Sequence, residues 1–205
     1  MKRVLAALAV ACAVYGVQPV YAQRADLYAR FGAVYSSTLV TDAIVGSNLI
    51  ETKVGIAPAL TLGVGYPIAP GYSAGVEAML ARGGLSAMDD FTGETSDLGT
   101  LMTVTTTATL AGPIRWGLSW RVAVGLISYL PSEDEGIFLR GGTSRLLAGA
   151  QVEYRRPALR GWDLTVAAGA DLHRFTTEEL QARGFGGTQG VGRGMLSVGL
   201  ARARP

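Results

Sequence analysis

Apolar and polar residues alternate along most of this chain. In the stretch Pro58 to Leu85, Leu60, Leu62, Val64 and Tyr66 alternate with Thr61, Gly63 and Gly65. Pro67 to Gly71 then breaks the run. Beyond it Tyr72, Ala74, Val76, Ala78 and Leu80 alternate with Ser73, Gly75, Glu77, Met79 and Ala81. Period two on both sides of a Pro/Gly turn predicts a β-hairpin with one apolar and one small or polar face. The same pattern recurs in Asp26–Ser36, Leu101–Leu110, Trp116 to Tyr129, Arg145–Arg155, a stretch from Trp162 to about Leu172, and a last run ending near Leu200. Together these predict eight strands. The connections alternate in length. Thr38–Lys53, Ser86–Gly99, Pro131–Thr143 and Thr176–Gly190 are long; the first holds an apolar portion, Ala43-Ile44-Val45, which predicts that the first two strands extend beyond the core barrel. The turns near Pro70, Pro113 and Pro157 are short. Equal strands joined alternately by short and long connections predict one up-and-down antiparallel barrel without a second domain.

Two orientations of such a barrel are possible. In a soluble lipocalin-like ligand-binding barrel the apolar face lines the interior. The surface would then be made of Gly, Thr, Ala and Ser with unusually few charges. In a transmembrane barrel the apolar face meets lipid. The second explains more, because no strand carries a charge in the middle of its apolar face. Tyr66, Tyr72, Trp116, Tyr154 and Trp162 all lie on that face beside the short turns. They form a candidate aromatic girdle at one rim, where amphipathic rings sit at a membrane interface.

Composition sharpens this picture. Charged residues make up 17% of the 205-residue chain, against roughly 25% in an average soluble domain. Beyond the first two dozen residues no apolar run approaches the ~20 needed for a spanning helix. The N-terminus reads as a secretory signal over residues 1–22: Lys2 and Arg3, then an apolar run from Val4 to Val17, then Val20-Tyr21-Ala22 as the cleavage site. A membrane anchor and a lipoprotein signal at Cys12 are the weaker alternatives. Cleavage after Ala22 removes two bases and no acid. The remaining 18 − 2 = 16 basic residues then match 16 acidic ones, which gives no basis for nucleic-acid affinity. Cys12 leaves with the signal, so residues 23–205 hold no thiol and no disulfide.

With these features on the page, the chain resembles the small eight-stranded outer-membrane β-barrels, such as the OmpA membrane domain and the OmpX- and OmpW-like proteins. The resemblance implies an all-β, eight-stranded antiparallel up-and-down transmembrane β-barrel in the outer membrane. It implies contact with membrane lipid and lipopolysaccharide, insertion by the barrel-assembly machinery, and a monomer. One departure is the ending Leu200-Ala201-Arg202-Ala203-Arg204-Pro205, where such barrels usually finish in an aromatic residue read as an insertion signal.

Parity along the strands turns Arg30, Arg121, Arg155 and Arg193 inward, against Asp26, Glu77, Glu153, Asp163 and Asp171. Near balance predicts paired ions that plug the lumen, because an unpaired buried charge is costly. The candidate network is Arg30, Glu77, Arg121, Glu153, Arg155, Asp171 and Arg193. The chain carries one histidine, His173, with Asp171 two residues away on the same face. Ser128 and Ser144 are the serines that could approach it, but the His-x-Ser spacing of lipid A deacylases is missing, and His173 reads as structural. No catalytic residue, cofactor site or metal cluster is expected. The leading function is therefore structural or surface-interacting. A narrow conduit or lateral path for a small or hydrophobic solute, and a lipid A-modifying enzyme, are the alternatives.

Overall fold

The computed structural model describes residues 25–202 apart from 46–47, 90–91, 160, 183 and 185–187. The expected signal segment over residues 1–22, with its expected cleavage site and Cys12, and the last three residues lie outside the described residues. Ten strands form one antiparallel sheet: β1 (Asp26–Ser36), β2 (Val40–Val45), β3 (Asn48–Val54), β4 (Ala57–Ala69), β5 (Tyr72–Asp89), β6 (Thr95–Pro113), β7 (Leu118–Pro131), β8 (Thr143–Leu159), β9 (Trp162–Phe175) and β10 (Gln189–Arg202). Eight of them, β1 and β4 to β10, are the staves of a closed barrel. Each pairs with its chain neighbour, and β1 closes the ring on β10, with Arg30 opposite Gly199 and Phe31 opposite Val198. Closure removes the free edges that an open sheet of this size would expose.

The alternation seen in the sequence is the inside–outside alternation of this barrel. Phe31, Leu62, Val124, Leu172 and Leu196 are 62%, 51%, 61%, 69% and 62% exposed on the outer face. Thr103, Thr105, Thr107 and Thr109 of β6 are all buried on the inner face. The short turns and both described ends of the chain share one end of the barrel: Asp26 stands opposite Gly65 near the β4–β5 turn, and Arg202 opposite Trp162.

The other end differs from the sequence expectation in three ways. First, Thr38–Lys53 contains the β2–β3 hairpin, and β3 continues the sheet on β5 rather than on β1. Second, Ser86–Gly99 is mostly ladder. β5 and β6 run on past a bulge at Gly84/Ser86 to the pair Met88–Thr95. There the Asp89 carboxylate accepts from the Thr92 amide at 3.1 Å, and Gly93 takes a φ of 71°. The ladder was illegible because period two needs one apolar face, and here the few apolar residues, Ala87, Met88 and Leu98, are scattered over both. Third, the two remaining long connections fold back over the mouth. A 3-10 turn at Gly136–Phe138 buries Ile137 and Phe138, and the short helix α1 (Glu178–Ala182) buries Leu180.

Trp116 is also displaced from its expected place. It sits in the β6–β7 turn with a φ of 52°, before Gly117 at 80°, and β7 starts at Leu118. Two successive left-handed residues make the tight reversal, and the glycine takes the second without strain.

Candidate functional site

The lumen holds the candidate site. Near the short-turn end, Glu153 on β8 is 1% exposed and faces three guanidinium groups. Arg30 of β1 donates to it at 2.9 Å, Arg121 of β7 at 3.4 Å, and Arg155 from its own strand. Arg30 also donates to Glu77 of β5, and Arg155 to Asp26 of β1 at 2.8 Å. Three arginines thus meet three carboxylates, and the Arg30–Glu153, Arg30–Glu77 and Arg155–Asp26 ties join staves that are not neighbours in the sheet. Such a cluster is favourable in a low-dielectric interior only when each charge has a close partner.

Tyr28 stands at its centre. Its hydroxyl donates to Glu77 at 3.0 Å and accepts from Arg121 at 2.9 Å. The guanidinium carbons of Arg30 and Arg121 lie 4.8 and 4.6 Å from its ring centroid, so both cations press on the π-system. Gly63 on β4 gives the ring its space. A Cβ there would come within 2.1 Å of the Tyr28 ring.

A second polar layer lies toward the long-connection end. Arg193 of β10 grips Asp171 of β9 through two bonds of 2.9 and 2.7 Å, and donates to Thr105 across the lumen at 3.1 Å. His173 is buried beside this pair. Its Nε2 is hydrogen-bonded to the Tyr129 hydroxyl, and its Nδ1 is 3.9 Å from Asp171. Between the two layers is a cavity of about 30 Å³, lined in part by Glu77, Thr105, Arg121, Gln151 and Asp171. That is space for one or two waters and for no larger solute.

An apolar cluster, the cork, lies at the long-connection end of the lumen. Tyr129 packs edge-on against Phe175 at 5.0 Å, and Phe138 lies over both at 6.4 and 6.0 Å. Ile137 and Leu180 join them, against a collar that includes Leu39, Leu85, Leu101, Ile127 and Val191. Specific bonds hold the cork's two segments. Thr177 Oγ1 donates to the Ile137 carbonyl at 2.6 Å and accepts from the Leu180 amide at 3.2 Å. Arg145 donates to the Thr176 carbonyl at 2.6 Å, and Arg140 pairs with Glu179 at 3.2 Å.

No family model and no curated protein matches the sequence. Solved structures do match. The outer membrane protein OprG from Pseudomonas aeruginosa superposes with a TM-score of 0.51 at 12% identity, over 87% of this chain and 94% of that one. Neisserial surface protein A gives 0.52 at 10% identity, over 87% and 96%. The outer membrane protein AlkL, determined in lipid bilayers, gives 0.54 at 14% identity, over 89% and 92%. The fold is that of the small eight-stranded outer-membrane barrels.

Within that fold the seven charges expected in the lumen fall into two groups. Arg30, Glu77, Arg121, Glu153 and Arg155 form the lower cluster, and Asp171 with Arg193 the upper pair. Of the five rim aromatics, Tyr72, Tyr154 and Trp162 are 44%, 42% and 42% exposed on the outer face. Tyr66 is half-buried, and Trp116 is 87% exposed at its turn. Trp120 was not assigned to the girdle, yet it packs edge-on against Tyr72 at 6.3 Å. The two serines do not reach His173. Ser128 and Ser144 bond each other at 2.7 Å with the outward parity of Leu126 and Leu146, across the sheet from the imidazole.

Three participants escaped the sequence reading. Tyr28 had the right parity but was not read as a polar hub. The cork's only signal was the apolar triplet Ile137-Phe138-Leu139 inside an acidic connection. Leu180 had no signal beyond lying alone between charged residues.

Proposed function

We propose that this chain is an integral outer-membrane protein whose barrel is shut and whose role is structural or surface-interacting. The double closure of the lumen carries this reading. An ionic layer centred on Tyr28 and Glu153 spans one level, and an apolar cork around Phe138 covers the mouth. An eight-stranded barrel has an interior just wide enough for side chains to fill, and the ionic layer and the cork support that reading here. The outer face supports the membrane assignment. Its exposed band of Leu, Val, Phe and Ala suits hydrocarbon and would be an aggregation hazard in water. This reading includes export on the N-terminal signal with cleavage after Ala22, insertion by the assembly machinery, and a monomer in contact with phospholipid and lipopolysaccharide. Tyr72, Trp116, Tyr154 and Trp162 then mark the periplasmic interface, and the β2–β3 and β5–β6 extensions stand outside the cell.

The test is single-channel recording of the refolded protein in planar bilayers, together with fractionation of cells expressing it. The expected result is recovery with the outer membrane and no steady conductance. A large, stable conductance would overturn the closed reading. It would favour the second one, a conduit, which draws on the fact that the cork comes from connections rather than from strands and is in principle removable.

A further inference from the structure

The geometry points to a binding site for an anionic glycerophospholipid headgroup on the outer wall at the short-turn end, made by Arg156, Arg202 and Arg115 around Trp162. Arg156 is on β8 and Arg202 on β10, and both are exposed on the outer face. Between them runs β9, where Trp162 stands opposite Arg202 and Leu164 opposite Arg156. Arg202 is thus the cross-strand neighbour of the indole on one side of β9, and Arg156 stands on the other side one outward-facing position further along the strand. The β6–β7 turn brings Arg115 to the same arc, because Gly117 of that turn accepts a backbone bond from Arg155 at 2.9 Å.

Charge sign gives the ligand class. The carboxylates at this end are Asp26, Glu77, Glu153 and Asp163, and all take lumen-facing positions. Asp26 and Glu153 are buried, and Glu77 and Asp163 are half-buried. Among the described residues no acid shares the outer face with Arg115, Arg156 and Arg202, and no side-chain ion pair or hydrogen bond engages Arg156 or Arg202. Arginine binds phosphate oxygens through paired N–H groups, and does so more strongly where water is scarce.

Position gives the rest of the ligand. Leu164, Val166, Val198 and Leu200 extend from the arginines toward the barrel's mid-height, each about two-fifths to one-half exposed. A phosphate held by Arg156 and Arg202 would lay its acyl chains along that apolar strip. The indole of Trp162 sits at the depth where ring and headgroup meet. A soluble phosphate would have no use for the strip. The inference rests on the membrane reading above and adds to it a preferred lipid: one with net negative charge in the leaflet at the short-turn end, such as phosphatidylglycerol.

The test is native mass spectrometry of the full-length protein folded in a neutral detergent and titrated with phosphatidylglycerol or phosphatidylcholine. Wild type should retain phosphatidylglycerol in preference by on the order of tenfold, as expected for two or three basic groups near an anionic headgroup. Arg156→Gln with Arg202→Gln should remove most of that preference, while Arg156→Lys with Arg202→Lys should keep most of it. Arg174→Gln, on the outer face at the far end of β9, should change nothing. Folding of each variant is checked by its heat-modifiable gel mobility. Equal retention of the two lipids by wild type, or an undiminished preference in the folded Gln double variant, would overturn the site. Recovery of the protein in the soluble fraction would instead sink the membrane reading, so the two failures are distinguishable.

Discussion

Gly63 and Tyr28 face each other across the β1–β4 ladder, and the tyrosine ring fills the space where a side chain on residue 63 would be: a Cβ there would lie 2.1 Å from Tyr28 Cζ and 2.2 Å from its hydroxyl oxygen. The position of the ring matters because its hydroxyl links Arg121 to Glu77 and its faces carry Arg30 and Arg121. Gly63→Ala should therefore displace Tyr28 and cost about 1–3 kcal/mol, as overpacking does. Urea titration of the folded barrel measures it. In a double-mutant cycle with Tyr28→Leu the two losses should be less than additive, because the smaller ring-free side chain relieves the clash. Strict additivity would mean that the two residues do not share the space.

Glu153 is the carboxylate on which Arg30, Arg121 and Arg155 converge. Glu153→Gln leaves three guanidinium groups with two carboxylates in a buried layer. The expected loss is about 3–5 kcal/mol, the range for removing one partner of a buried ion pair. Arg193→Gln should leave this layer intact, since Arg193 bonds Asp171 and Thr105 in the other. Similar thermal profiles for wild type and Glu153→Gln would show that the cluster contributes nothing to stability.

The outer face is tested at Val124, which is 61% exposed near the middle of β7. Val124→Arg should impair insertion, by about 2–4 kcal/mol for a base near mid-bilayer. Val124→Leu should be neutral. The readout is the folded fraction after refolding into lipid vesicles. If arginine is accepted as well as leucine, the band is not facing lipid.

The two closures can be separated by conductance. Phe138→Ala removes the ring that caps Tyr129 and Phe175 and should lower stability by about 3–5 kcal/mol. It should not open a channel, because the ionic layer below is untouched. Adding Glu153→Ala should produce ion flow that neither change produces alone. Steady current through Phe138→Ala by itself would place the whole barrier at the cork.

Much of this protein was legible before any coordinates. Strand faces were readable because each stave has one outer and one lumen-facing side, and period two records that difference along the staves, as in Leu27–Tyr35 and Leu60–Tyr66. The inward charges were readable for the same reason: parity alone turns Arg30, Glu77, Arg121 and Glu153 to the inside. The extended β5–β6 hairpin was not, because beyond Leu85 the apolar residues Ala87, Met88 and Leu98 are scattered among polar ones on both faces and the period fades. Trp116 was read as the first residue of a strand because it continued the alternation. A left-handed φ puts it in the turn instead, and the strand starts two residues later, at Leu118.

What the sequence determined by itself was the wall: eight alternating stretches, the apolar face outward, the charged face inward, and a near-neutral set of lumen ions. Those properties are local, since each depends only on a residue's place in its own strand. What only the tertiary structure decided was who meets whom across the lumen. Arg155 pairs with Asp26, 129 positions away in the chain, and Arg193 reaches Thr105, 88 positions away. Phe138 and Leu180 join one buried apolar cluster from two connections that read as polar loops. Such contacts depend on which staves stand opposite one another and at what height once the ring closes, and no periodicity within a single strand carries that information.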